Sequence, residues 1–295
     1  MREAAIRTLK MRAPAKINLS LHVLGRRLDG YHDLESLVAF AGCTDLVSLD
    51  QQDELSLTQD GPQANQAGPI ADNLILRAAR QAQVHIPSLH LGAFHLTKRL
   101  PVGAGIGGGS SDAAAALRLI AKANGLDKND PRLFEAAKAT GADVPVCLDP
   151  IARMMRGMGD DLSRPIHLPL LFAVLVNPNV HVDTGSIFKR LGFAPGEARQ
   201  RNSHPLIEDH LSFDQLIAVL NKTANDLEDA ASLAAPVIPH VLNVLMAAPG
   251  CRLARMSGSG STCFALFAKR SEALRATKVL RRDHPDWWTR ATLLR

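Results

Sequence analysis

The sequence predicts an α+β protein of two lobes, and three observations lead there. The chain has 295 residues, more than a single ordinary core usually needs. Its first part alternates apolar and polar residues with the period of two that strands require, whereas helical spacing dominates later, from Phe213 to Leu220 and from Pro236 to Met246. Hydrophobic residues make up 46% of the chain and charged residues 21%, which is enough apolar surface to bury substantial cores and too little charge for disorder. A boundary near residue 165 separates a strand-rich N-terminal lobe, 1–165, from a C-terminal lobe, 166–295, that opens on the apolar run Leu170 to Val176.

Each element follows from local pattern. Ala15 to Val23 alternates as a half-buried strand does, which puts Lys16 and Asn18 on one face. The turn Gly25 to Gly30 precedes a second strand around Leu37 to Phe40, and Asp45 to Leu57 alternates again. Asp72-Asn73-Leu74 starts a helix, because an Asp or Asn side chain can accept from the exposed first-turn N–H groups while Ile75, Ala78, Ala79 and Ala82 recur at helical spacing. His90 to Thr97 reads as a strand, Pro101 to Asp112 as a glycine-rich loop, and Ala113 to Ala123 as an alanine-rich helix stopped by Asn124-Gly125. Leu133 to Ala139 forms a further helix, and the strands Leu253 to Met256 and Thr262 to Ala268 flank the turn Ser257 to Ser261. Arg281 to Arg295, with Trp287 and Trp288, reads as a packed terminal element. The first dozen residues, Met1 to Arg12, carry positive charge, no apolar core segment and no motif.

Composition narrows the function. A formal charge of +5 favours anionic ligands, yet the basic residues fall in scattered pairs (Lys98-Arg99, Arg252 with Arg255, Arg281-Arg282) that read as solvated surface. With one Tyr and two Trp there is no basic-aromatic surface for stacking bases, so no nucleic-acid partner is expected. No stretch of about 18 apolar residues occurs, so no membrane partner is expected either. Four cysteines without a C-x-x-C pair fit free thiols in a reducing compartment, and the expected location is cytoplasmic.

The strongest chemical signal is Pro101-Val-Gly-Ala-Gly-Ile-Gly-Gly-Gly-Ser-Ser-Asp112. Glycines remove the Cβ so that backbone N–H groups can approach an anion, and the helix that follows aims its positive end at the same place. A dinucleotide site would need a strand running straight into the loop and an acid closing the next strand, but Lys98 to Pro101 precede the glycines and Asp127 lies in a turn. A P-loop would need a Lys-Ser or Lys-Thr after the glycines, and none follows. Gly141-Ala-Asp-Val-Pro145 sets the carboxylate of Asp143 among small and apolar neighbours, where it serves either as a turn cap or, paired with a cation, as a reactive group. Lys16 is equally ambiguous by itself. The turn Ser257-Gly-Ser-Gly-Ser261 offers small donors to a diphosphate as readily as it makes a hairpin. The eleven histidines show no metal-ligand spacing, and no G-x-S-x-G elbow of a hydrolase occurs.

Taken in order, Pro14-Ala-Lys-Ile-Asn-Leu19, Asp29-Gly-Tyr-His32, the loop Pro101 to Asp112, Gly141 to Pro145 and Ser257 to Gly260 resemble the galactokinase, homoserine kinase, mevalonate kinase and phosphomevalonate kinase (GHMP) superfamily. The resemblance runs from residue 14 to about 268 and is greatest to the member that phosphorylates a cytidine diphosphate-linked polyol on the non-mevalonate isoprenoid route. It implies a two-lobed GHMP-kinase-like fold, with a strand-rich ATP-binding lobe and a ferredoxin-like C-terminal lobe that completes the substrate cleft. It implies ATP and Mg2+, a small-molecule cytidine diphosphate substrate, and a monomer or homodimer. By the same resemblance Lys16 and Asp143 are catalytic. Pro101, Val102, Gly103, Ala104, Gly105, Ile106, Gly107, Gly108, Gly109, Ser110 and Ser111 hold the ATP phosphates, with Asn73 and Lys98 nearer the adenosine; the local reading of those two is a helix cap and a surface lysine. Asn18 orients the substrate, Tyr31 stacks on the cytosine, His32 bonds its edge, and Phe188 covers the other face. No protein ligand for Mg2+ is assigned, with Ser111 the candidate from related kinases. Cys147, where an aromatic residue is frequent, and Asp160, where a glutamate is frequent, depart from the pattern without removing a catalytic group. The competing readings are a sister kinase for homoserine or a mevalonate, and a ligand sensor on the same scaffold, which would need neither Lys16 nor Asp143.

Overall fold

The computed structural model describes residues 8–199 and 204–295, so the first seven residues of the Met1 to Arg12 segment lie outside it. In chain order the strands and α-helices are β1 (Thr8–Asn18), β2 (His22–Arg26), β3 (His32–Asp50), β4 (Ser56–Asp60), α1 (Leu74–His85), β5 (Ala93–Thr97), α2 (Gly108–Ala123), α3 (Pro131–Thr140), α4 (Val144–Leu148), β6 (Arg153–Gly157), β7 (Asp161–Leu162), β8 (Leu171–Asn177), α5 (Thr184–Arg190), α6 (Phe213–Leu220), α7 (Glu228–Ala234), α8 (Val237–Met246), β9 (Cys251–Met256), β10 (Cys263–Phe267), α9 (Arg270–Asp283) and β11 (Trp288–Leu294). Among the described residues no helix is long and apolar enough to cross a membrane.

Contacts group the chain into two compact units that differ from a single cut near residue 165. The first takes the chain up to Ala15, Thr44–Val102 and Gly107–Pro150; the second takes Lys16–Cys43, Gly103–Ile106 and Ile151–Arg295. The chain crosses from one to the other inside three continuous segments, β1, β3 and the glycine loop, which no shift in composition marks.

In the first unit β4 runs parallel to β5, and β5 pairs antiparallel with the second half of β3, with Val47 opposite Leu96. Helix α1 begins where the sequence places it, because the Asn73 side chain accepts a hydrogen bond from the Ile75 N–H at 2.9 Å. Its buried residues Ile75, Leu76, Ala78, Ala79 and Ala82 form the expected stripe. Helix α2 is different: Ala113, Ala114, Ala115 and Ala116 are buried all round, and such small side chains allow α1 and α4 to approach it closely.

In the second unit β2, the first half of β3, β6 and β7 form one antiparallel run, with Leu34 opposite both Val23 and Gly157. The other strands follow the chain order β8, helices, β9, β10, α9, β11 and lie side by side as β11-β8-β10-β9. A β-α-β-β-α-β chain with its fourth strand beside the first and its third beside the second is a ferredoxin-like arrangement, as expected. The terminal segment read only as a packed element is thus an interior strand, with Ala291 opposite Val174 and Leu294 opposite Ala41. The buried core of this unit gathers Val174, Val176, Ile238, Val241, Phe267 and Leu280.

Two sequence expectations are corrected. The stretch Ala15 to Val23 is not a half-buried strand: it breaks after Asn18, and every residue in it is buried, its polar members included. Arg255 is not solvated charge. Only 7% exposed, it donates to the carbonyls of Leu19 (2.6 Å), Leu220 (3.0 Å) and Thr223 (2.8 Å) and to the Thr223 hydroxyl (3.1 Å). A guanidinium has five donors in a rigid fork, and this one ties its own strand to two separate stretches of backbone, at Leu19 and at Leu220 to Thr223.

Candidate functional site

The glycine segment is shorter as a loop than the sequence implies, because α2 begins at Gly108, so that Gly108, Gly109, Ser110 and Ser111 form its first turn. Gly103, Gly105 and Gly107 have φ of 59°, 71° and 58°, the left-handed region that favours glycine. Between them Ala104 and Ile106 point inward and are buried. The backbone is pinned on three sides: the Lys16 N–H donates to the Ile106 carbonyl (2.9 Å), the Ser257 hydroxyl to the Gly105 carbonyl (3.0 Å) and the Thr262 N–H to the Ala104 carbonyl (3.1 Å). The Ser257 turn therefore has a structural task at this loop, which its hairpin reading missed. Gly107 stands at the N-cap of α2 and has no side-chain oxygen to cap the first-turn N–H groups. Ser111 Oγ is buried there with no hydrogen-bond partner. Pro101 and Val102, the remaining predicted loop residues, are buried and half-buried.

Lys98, read locally as a surface lysine, is 3% exposed. Its Nζ lies 2.6 Å from Asp45 Oδ2 and 2.6 Å from Asp112 Oδ2. Asp45 Oδ1 also accepts from the Leu100 N–H at 2.8 Å and from the Arg99 N–H, so one buried ion triad ties the strand leaving β5 to the first turns of α2. A Cβ on Gly108 would stand 3.2 Å from the ammonium, a tight contact that the Lys98 side chain would have to ease. Sequence reasoning missed Asp45 and Asp112 because nothing in their immediate neighbours distinguishes them from surface carboxylates.

Burial pushes the Asp112 carboxyl up to about 7, with Lys98 opposing the rise and Asp45 adding to it. Between 3.8 and about 7 the folded chain therefore holds a proton that the unfolded chain has released, so this group's stabilising contribution is present at low pH and lost as pH rises through about 7. Asp112→Asn keeps the group neutral throughout. The melting temperature of that variant minus that of the wild type is expected to become more positive from about pH 4 to about pH 8, measured by thermal denaturation. A difference that stays flat removes the buried proton.

Lys16, 3% exposed, and Asn18, fully buried, project from the same face of β1. The Asn18 amide nitrogen donates to Ser36 Oγ at 2.7 Å and its backbone N–H to Ser257 Oγ at 3.1 Å, while Oδ1 is buried without a partner. Asp143 belongs to the other unit, at the N-cap position of α4, where it is half-buried and makes no capping hydrogen bond. The turn-cap reading of Asp143 therefore has its position right and its bond wrong.

In the second unit the turn before β3 places Tyr31, 58% exposed, beside His32. Gly30 takes φ of 91°, and Asp29 accepts from the Tyr31 N–H at 3.1 Å. The His32 ring stacks on Phe188 with centroids 4.7 Å apart and meets the edge of Phe193 at 6.3 Å. Phe188 sits on α5, which starts where Asp183 accepts from the Ser186 N–H at 2.7 Å. Burial lowers the His32 pKa, with Arg26 adding to the effect, so the ring is a neutral imidazole at pH 7, carrying one donor and one acceptor. The structure thus joins His32 to Phe188 and leaves Tyr31 open to solvent.

Among the described residues one group has cation-ligand spacing, His167, Asp209 and His210; all three are exposed, and each histidine ring lies against the Asp209 carboxylate, at 3.1 and 3.7 Å.

Comparison with known proteins bears on this geometry. Residues 73–149 match the GHMP kinases N terminal domain and residues 203–286 the GHMP kinases C terminal domain. A 4-diphosphocytidyl-2-C-methyl-D-erythritol kinase from Methylobacterium radiotolerans is 56% identical over 96% of this chain and 98% of its own length. One of the same name from Xanthobacter autotrophicus is 54% identical over 97% and 99%. A crystal structure of 4-(cytidine 5'-diphospho)-2C-methyl-D-erythritol kinase superposes with a TM-score of 0.72 at 32% identity, covering 97% of this chain and 99% of that one. A homoserine kinase from Cytophaga hutchinsonii, at 17% identity and a TM-score of 0.69, shares the fold.

Proposed function

The chain belongs to the GHMP kinase family, and on that premise we propose that it moves the γ-phosphoryl group of ATP onto a hydroxyl of 4-diphosphocytidyl-2-C-methyl-D-erythritol, giving the 2-phosphate in the non-mevalonate isoprenoid precursor pathway. The observation that carries the substrate is the likeness to relatives of that name over nearly the whole of both chains. Turnover of a panel of alcohols with ATP and Mg2+, followed as ADP release, tests it. Phosphorylation of homoserine or mevalonate in preference to the cytidine compound would replace the substrate.

Phosphoryl transfer requires positioning and charge stabilisation more than covalent help. Residues Gly103 to Ser111 hold the phosphates through backbone N–H groups, which the left-handed glycines and the uncapped first turn of α2 support. Asp143 takes the proton of the acceptor hydroxyl as general base, and Lys16 offsets the charge that develops on that oxygen. The buried, unpartnered hydroxyl of Ser111 would serve as an oxygen ligand for Mg2+, which when bound would supply Lewis-acid neutralisation of phosphate charge. The Lys98 triad acts here as a clamp under the loop, since two carboxylates already take its ammonium.

Cytosine recognition falls to Tyr31, His32 and Phe188. Neutral His32 can donate to and accept from a base edge, and the exposed Tyr31 ring can lie on a base face. Base–aromatic stacking contributes about 1–3 kcal/mol. Tyr31→Ala is therefore expected to raise KM for the cytidine substrate by about 5- to 150-fold while kcat changes little, measured by steady-state ADP release. An unchanged KM removes Tyr31 from substrate binding.

A further inference from the structure

The Asn18 amide can be oriented by logic alone. Ser36 Oγ lies 2.6 Å from the Ser20 carbonyl and 2.7 Å from the Asn18 amide. A carbonyl only accepts, so the single hydroxyl hydrogen of Ser36 points at Ser20, and toward Asn18 the hydroxyl can only accept. The Asn18 atom facing it is therefore Nδ2, and Oδ1 faces away, buried and without a partner. Ser20 is itself held in place. Its Oγ lies 2.7 Å from His204 Nε2 and accepts from the Leu37 N–H at 3.1 Å, and His204 Nδ1 in turn donates to the Pro205 carbonyl at 2.8 Å.

A buried amide oxygen without a donor is a costly state that a ligand can relieve. Asn18 Oδ1 stands on the strand face that carries Lys16. In the reaction proposed above, the hydroxyl being phosphorylated gives its proton to Asp143 and is no donor for Asn18. We infer that Ser36 is a positioning residue that turns the Asn18 amide so that Oδ1 accepts a hydrogen bond from a second, neighbouring hydroxyl of a polyol substrate. The inference rests on the polyol kinase reading. A turned-over amide would present N–H instead and favour an ether or carbonyl at that place, so Ser36 sets the preference for a hydroxyl donor.

The test uses the full-length chain with ATP, Mg2+, the cytidine diphosphate polyol, and an analogue whose hydroxyl beside the acceptor is replaced by fluorine, which accepts weakly and cannot donate. Wild type is expected to lose about tenfold or more in kcat/KM on the fluoro analogue. Ser36→Ala, which frees the amide to turn, is expected to lose about tenfold on the polyol, with KM for ATP unchanged, and to match wild type on the analogue. In kcat/KM for the polyol, Asn18→Ala combined with Ser36→Ala should be no worse than Asn18→Ala alone, because Ser36 reaches the substrate through that amide. Multiplying losses in the double variant overturn the inference. Equal kcat/KM of the wild type on both substrates also overturns it, and that measurement stands even if Ser36→Ala does not fold. A wild-type chain that turns over no cytidine diphosphate polyol overturns the substrate reading itself, a result seen before any variant is made.

Discussion

Asp143→Asn is expected to lower turnover by about 10²- to 10⁴-fold, the usual contribution of a general base, while leaving ATP binding nearly intact. Asp143 occupies the N-cap position of α4 but forms no capping hydrogen bond, so an amide there removes no cap. Asparagine also keeps the size and the local turn geometry of aspartate. ADP release under saturating substrate gives the rate, and calorimetry with ATP gives the affinity. A variant that turns over at the wild-type rate removes residue 143 from proton transfer, and one that loses both turnover and ATP affinity points to a structural role.

Gly105→Ala should be the most damaging single methyl in the second unit. The added carbon would stand 2.3 Å from the Ser257 carbonyl oxygen, 2.7 Å from the Gly260 nitrogen and 2.8 Å from the Gly260 oxygen, and φ is 71°. All three neighbours are backbone atoms and cannot swing aside as a side-chain tip can. A left-handed non-glycine residue costs about 1–2 kcal/mol and overpacking about 1–3 kcal/mol, so a loss of about 2–5 kcal/mol is expected in denaturant melts. A displacement of about 1 Å in a positioning loop can lower the rate about 10²-fold. Gly109→Ala is the comparison for folding: its added carbon meets Leu74 at 3.5 Å, an ordinary contact, inside a helix where alanine is the better residue. Equal melting temperatures for the two variants would end the argument that Gly105 is needed for a close approach.

Local pattern carried several elements almost to the residue. Asn73 caps α1 because a short polar side chain before an apolar stripe has few better uses, and Phe213–Leu220 is a helix over the expected range. The unusual backbone of the glycine segment was legible for the same kind of reason, since alternate glycines permit a conformation that other residues resist. Its length was not. Glycine and serine read as loop, yet Gly108 to Ser111 are helical, because burial of α2 against α1 and α4 overrides their low propensity.

What the chain order alone determined is the kind of many elements, the turns of the glycine segment, and, through five short motifs taken together, the family. Periodicity, capping and φ preference act over a few residues, so they can be read in line. Tertiary structure alone decided the state of the charges and amides. Lys98 is buried because it meets Asp45, 53 positions away, and Asp112, 14 positions away. Arg255 is buried because its fork reaches carbonyls as distant as Leu19, 236 positions off, and Asn18 keeps an unpaired oxygen because Ser36, 18 positions on, takes the other end of its amide. A polar side chain tolerates burial only when specific partners satisfy it, and which partners arrive is settled by how strands and helices pack.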